Sequence, residues 1–118
     1  MSNTSRLITV TIEDMSHGYQ IAQTAHAVAQ FAAEEPNIFK EWHSTSGFLI
    51  CLAVPELSDL DRLKEILKMK MVRYVEFFEP DVNQITGIAI EPCEEADEIT
   101  QYLSLAGRKS GHFSKYTV

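Results

Sequence analysis

The chain has 118 residues, 45% of them apolar and 23% charged, and its formal net charge is −7. Such a length suits one domain with a modest core, and such a composition is that of an ordinary globular protein. No run approaches the ~20 apolar residues of a membrane helix, the first residues lack the basic and apolar regions of a secretory signal, and the acidic balance argues against a general nucleic-acid coat.

Residues 1–5 read as a disordered N-terminus. Residues 6–13 are a nearly continuous run of Leu, Ile, Val and Thr, which suits a strand buried on both faces. A helix follows from about Tyr19 to Ala33. Ile21, Ala25, Val28 and Ala32 recur at helical spacing and predict its buried face, with Gln23, His26 and Gln30 on a more polar one. Pro36 ends it. A short helical piece over 38–42 should pack Phe39 and Trp42 on the first helix. Gly47–Val54 is a second apolar strand, closed by Pro55. Ser58–Lys68 is the clearest helix, with Ser58 as the expected N-cap and Leu60, Leu63 and Leu67 inward. Met69 and Met71 read as core filler. Arg73–Phe78 and Ile85–Ile90 predict a hairpin across the turn 79–84. A final helix is expected from about Cys93 to Ala106, ended by Gly107, with 107–118 as a flexible basic tail. These elements predict an α/β fold of three layers, α/β/α, with a four-stranded mixed sheet. The first two strands should be parallel through a right-handed crossover.

The charge is uneven along this order. Five of the ten basic residues fall between Arg62 and Arg73, and three more are Arg108, Lys109 and Lys115. A basic patch stays open beside the plainer reading of a solvated helix face. Cys51 lies in an apolar run and reads as a buried thiol. With Cys93 as its only companion, no disulfide framework is expected. The cytoplasm is the expected compartment.

The stretch from Asp14 to Ala27 carries the densest chemistry. It reads as a turn at Gly18 between the first strand and the first helix, and it gathers His17, Tyr19, Gln20, Gln23 and His26. Ligands of open α/β sheets sit at such strand ends, where helix N–H groups are unpaired. The bland alternative is a tight turn with polar decoration. His17, His26 and Asp81 make no recognised zinc spacing, so no metal is expected.

The string Ala22-Gln-Thr-Ala-His-Ala27 resembles the A-Q-x-x-H-A signature of the type 2 peptidyl-tRNA hydrolases. Trp42 before the second strand, Asp81 in a turn and Thr86-Gly-Ile-Ala-Ile-Glu-Pro92 follow in that family's order. The similarity spans roughly residues 6–106, the expected domain. The resemblance implies a cytosolic homodimer that hydrolyses the ester between peptide and tRNA without metal or cofactor. Some of its functional positions differ here. The family turn reads approximately K-G-K, whereas this chain has His17, Gly18 and Tyr19. After Asp81 the family's A-G-x-T becomes Val82-Asn-Gln-Ile85. The resemblance therefore implies a site with His17 and Asp81 as catalytic pair and Gly18, Tyr19, Gln23, His26, Asn83 and Thr86 around the substrate. A His17–Asp81 pair could activate water or stabilise charge. It could equally be the remnant of a lost activity. The alternative is a non-catalytic, dimeric binding or assembly module on the same fold. A positive groove reaching His17 would favour the hydrolase, and a negative rim the module.

Overall fold

The computed structural model describes residues 5–107. Nearly all of the expected N-terminal arm and basic tail lies outside the described residues. The described elements are β1 (Arg6–Ile12), α1 (His17–Glu34), α2 (Pro36–Ser44), β2 (Phe48–Val54), α3 (Leu57–Met69), β3 (Tyr74–Glu79), β4 (Gln84–Ile90), α4 (Glu94–Thr100) and β5 (Ser104–Leu105). No helix among them is long and apolar enough to cross a membrane.

The sheet order is β3-β4-β1-β2-β5. β1 and β2 run parallel from Arg6↔Phe48 to Ile12↔Val54, as their continuous apolar runs predict. All other pairs are antiparallel. β1 is buried on both faces. Ile8, Val10 and Ile12 join Leu60, Leu63, Leu67 and Ile88 under α3, while Leu7 meets Ala27, Phe31, Trp42 and Ala89 under α1 and α2. The three-layer arrangement stands. Phe39 and Trp42 pack with α1 as expected, and Trp42 Nε1 donates to the Phe48 carbonyl at 2.8 Å.

Several expectations are corrected. The sheet has five strands, not four. The last helix stops at Thr100, whose hydroxyl donates back to the Ala96 carbonyl. The chain then turns and pairs Ser104 and Leu105 with the outer edge of β2. A two-residue strand leaves no periodic signal, but it covers part of an edge that would otherwise be open. The cap of α3 is Glu56, whose N–H donates to Asp59 at 3.0 Å; Ser58 already lies inside the helix. Cys51 and Cys93 are both half-buried, free thiols. Met69 and Met71 are 80% and 88% exposed, so neither fills the core.

The largest correction concerns α1. Its buried residues are Gln20, Gln23, Ala27 and Phe31, whereas Ile21 is 72% exposed. The helix is rotated by about one residue, roughly 100°, from the face its aliphatic residues suggest. Phe31 anchors that orientation at the far end. Near the N-terminus the two glutamines are buried because both are hydrogen-bonded there.

Met71 closes α3 with φ of 59°. The Val72 N–H bonds to the Leu67 carbonyl at 2.9 Å and the Met71 N–H to the Lys68 carbonyl at 3.1 Å, the helix ending in which glycine is favoured at this left-handed position. Met71→Gly should therefore stabilise the fold by about 1 kcal/mol. Chemical denaturation should show a raised midpoint with an unchanged slope.

Candidate functional site

The carboxyl ends of β1 and β2 set the place. β4 is antiparallel to β1, with Thr11 opposite Gly87. The β3–β4 turn therefore lies at the same sheet end as the β1–α1 turn. Ser16 opens α1, its hydroxyl accepting the Tyr19 N–H at 3.2 Å. From there α1 runs over β1, β4 and β3.

One α1 stripe, Tyr19, Gln23 and His26, faces the β3–β4 hairpin. Gln23 is its buried centre. The Thr86 hydroxyl donates to Gln23 Oε1 at 2.8 Å, and Gln23 Nε2 donates to Glu79 Oε1 at 2.8 Å. The other oxygen of Glu79 accepts the Asp81 N–H at 3.2 Å. Glu79 is only 8% exposed. His26 is exposed, with its ring stacked on Phe77 at 4.4 Å and 8°. The ring thus lies on the surface, on the more polar face of the helix where the sequence placed it.

A β-bulge aims Thr86. Phe77 pairs with Gly87, but Phe78 pairs with Ile85, so Thr86 is the extra residue of β4. Ile85 packs into the core under α3. Thr86 joins Gly87 on the α1 side. A regular strand would turn Thr86 away from α1; the bulge re-aims it. The helix comes close here, since a Cβ on Gly87 would lie 3.5 Å from the Gln23 carbonyl oxygen. Asn83 has φ of 56°, and its N–H closes the hairpin on the Glu79 carbonyl at 2.9 Å. Its part is to make the turn, a conformation that asparagine tolerates.

The charges follow from these contacts. The Gln23 amide, then the Asp81 N–H, holds the Glu79 carboxyl below its ordinary range; burial opposes them, and the nearby His26 adds to them. Burial, then the charges of Glu79 and Asp81, raises the Tyr19 phenol above its ordinary value. Tyr19 thus remains a neutral O–H donor beside two carboxylates.

His17 is elsewhere. It lines an opening of about 370 Å³ with Gln20, Ile21, Thr24, Cys51, Ala106 and Gly107, on the β2–β5 side of α1. No hydrogen bond or ion pair joins His17 to Asp81 among the described residues. Gly18 lies exposed between the two stripes, with nothing close to where a Cβ would stand. The structure thus brings together Tyr19, Gln23, His26, Asp81 and Thr86, and it adds Glu79. Sequence reasoning assigned Glu79 to the turn because Pro80 follows it. Its signal was the odd-numbered run Val75, Phe77, Glu79 on one strand face.

The basic cluster does not feed this cleft. α3 starts at the same sheet end, but Lys68, Lys70 and Arg73 lie at the opposite one. Lys64 pairs with Glu76 at 2.9 Å and Arg73 with Glu35 at 3.1 Å. No cluster of three or more His, Cys, Asp or Glu side chains suited to a metal occurs among the described residues.

The network gives a pH prediction. A carboxyl whose folded pKa is lowered stabilises the fold fully above its unfolded value, and that contribution is lost as pH falls through the folded value. Thermal unfolding of the wild type should therefore lose stability on acidification below the ordinary glutamate value of 4.5. Glu79→Gln should flatten that part of the profile. An unchanged slope would show that Glu79 is not held in the ionised form.

No curated protein matches the chain. A solved structure titled as a protein of unknown function from Agrobacterium tumefaciens is similar, with a TM-score of 0.62 and 12% identity, over 89% of this chain and 98% of that one. That likeness shows the fold alone. The family described as peptidyl-tRNA hydrolase PTH2 matches residues 7–106. Because that match takes in almost every element from β1 to β5, the cleft between α1 and the β3–β4 hairpin included, the chain belongs to the PTH2 peptidyl-tRNA hydrolase family.

Proposed function

We propose that the protein hydrolyses the ester that joins an acyl chain to tRNA, in the cleft between α1 and the β3–β4 hairpin. The supporting observation is the buried Thr86–Gln23–Glu79 relay beside Tyr19 and His26. Ester hydrolysis needs a base to orient water and a donor for the developing oxyanion. Histidine is the side chain that exchanges protons most readily near neutral pH. His26 is therefore the base of this proposal, with the Glu79 carboxylate nearby. The neutral Tyr19 hydroxyl is the oxyanion donor. Gln23 and Thr86 are positioning residues, since they act by fixing Glu79. Asp81 adds its backbone N–H to Glu79 and its charge to the rim.

One observation favours the second reading, a non-catalytic binding or assembly module. The segments 12–24, 54–60 and 79–86 border this sheet end and carry Glu13, Asp14, Glu56, Asp59, Glu79 and Asp81, but no Lys or Arg. A tRNA backbone must then meet its cations elsewhere, as on a partner protomer. A cytoplasmic, twofold homodimer belongs to this proposal. Light scattering should give twice the chain mass, and a clean monomer at high micromolar concentration would count against it.

The test of activity is release of the acyl group from labelled aminoacyl-tRNA, with and without an N-blocking group. His26→Ala and Glu79→Gln should each lower the rate about a hundredfold or more, and Tyr19→Phe by a comparable factor. His17→Ala should leave it unchanged. Absence of turnover by the wild type on either substrate would select the binding module.

A further inference from the structure

We propose that two copies of the chain join antiparallel along the open edge of β3, and that each lends its Arg73 to the other's cleft. This deepens the homodimer of the reading above and rests on it. β3 is the outermost strand of the sheet. The Arg73 carbonyl accepts the Glu91 N–H at 3.0 Å, and the Glu79 carbonyl accepts the Asn83 N–H at 2.9 Å. The odd-numbered residues of β3 thus turn their main chain toward β4. Tyr74, Glu76 and Phe78 turn theirs to the outer edge, where no hydrogen bond meets them among the described residues. Such an edge is a template for another strand. The devices that usually blunt one are missing: β3 has no lysine or proline, and the bulge sits in β4. Its central charge, Glu76, is already paired with Lys64 at 2.9 Å. Beside the edge, α1 presents Ala22, His26, Ala29 and Ala33, all exposed and on one helical side. A second α1 therefore finds no bulky charge in its way.

Self-complementarity selects a second copy as the occupant and fixes its register. Arg73 stands at one end of β3 and Asp81 just past the other, so an antiparallel copy meets opposite charges at both ends. Centring the pair on Glu76 would oppose two carboxylates. Centring it on Phe77 sets two aromatic rings side by side, and cross-strand energetics favour that choice. Glu76 and the partner's Phe78 then exchange N–H···O bonds, and pairing stops at Pro80, which has no N–H. A twofold axis normal to the sheet keeps both α1 helices on one side. The same register brings the partner's Arg73 alongside Asp81. Arg73 lies on the α1 side of the sheet, where it reaches Glu35 at 3.1 Å, so in the dimer it comes to the rim of the cleft. Its pair with Glu35 is a surface one and exchanges readily. The segments bordering the cleft carry no Lys or Arg of their own, and the partner supplies the cation that a tRNA phosphate requires.

Light scattering and amide hydrogen exchange on the full chain, at high micromolar concentration and on dilution, test this without tRNA. The expected result is a dimer whose Glu76 and Phe78 amides exchange as slowly as those of Val75 and Phe77, and faster on dilution. Glu76→Pro removes an edge-facing N–H and no bond to β4, so it should give a folded monomer. Arg73→Glu should weaken the dimer about tenfold by setting like charges opposite each other, and adding Asp81→Arg should restore it. Absence of that rescue would overturn the register and the part given to Arg73. A dimer with fast exchange at Glu76 and Phe78 would overturn the edge contact and leave the homodimer standing. A clean monomer would overturn both. Where Glu76→Pro fails to fold, exchange in the wild type and the charge swap still decide. Turnover of tRNA enters none of these readouts, so the hydrolase reading stands or falls separately.

Discussion

The Gln23 amide holds α1 to the β3–β4 hairpin, and the rest of the site depends on that bridge. A carboxylate only accepts, so Glu79 requires the NH₂ side of the amide. The amide oxygen must then face Thr86, whose hydroxyl donates to it. Each bond fixes the direction of the next, and the chain ends on an ionised group, where a hydrogen bond is strongest. Reversing the amide would set its oxygen against the Glu79 carboxylate and turn its NH₂ toward the Thr86 hydroxyl, so the carboxylate is the end that decides the direction. The result is one arrangement of three buried polar groups, at the point where the helix passes closest over Gly87.

That bridge explains the orientation of α1. Aliphatic content alone would turn Ile21 inward, and the outward face would then expose Gln23 and strand Glu79 in a dry environment. In the observed orientation both ends of the Gln23 amide are satisfied, and Ile21 is left exposed instead. Phe31, two turns on, is fully buried in this orientation and would be turned aside in the other, so it fixes the far end of the helix. Thr9 and Thr11, fully buried beneath α1, have hydroxyls without protein partners among the described residues. The polar lining under the helix is therefore satisfied at Gln23 and incomplete along β1.

Much of the fold was legible in the sequence: β1 and β2 through unbroken apolar runs, α3 through Leu60, Leu63 and Leu67 at helical spacing, and the β3–β4 hairpin through two strand-like runs across a short turn. The site was less legible, for three separate reasons. Residues 17 and 19 are two apart on a helix, about 200° around it. Only one of them can face the hairpin, and Tyr19 shares a stripe with Gln23 and His26 while His17 shares one with Gln20, Ile21 and Thr24. Glu79 was hidden by Pro80, which pulled the expected strand end back by one residue. The bulge at Thr86 breaks the alternation that sequence reasoning relies on, and no residue type announces it.

The electrostatics of this sheet end close on the same helix. α1 has no acidic side chain in its first turn, so the positive end of its dipole is not met from within the helix. Glu79 and Asp81 stand across the hairpin from that turn, near enough to Tyr19 that burial and their charges together raise its phenol. A helix terminus offers roughly half a positive charge, and two carboxylates bring two negative ones. Half a charge does not balance two, and Glu79 keeps its charge through the Gln23 amide and the Asp81 N–H instead. The polarity of the site is thus opposite to that of a phosphate cradle, although both are built at a helix N-terminus.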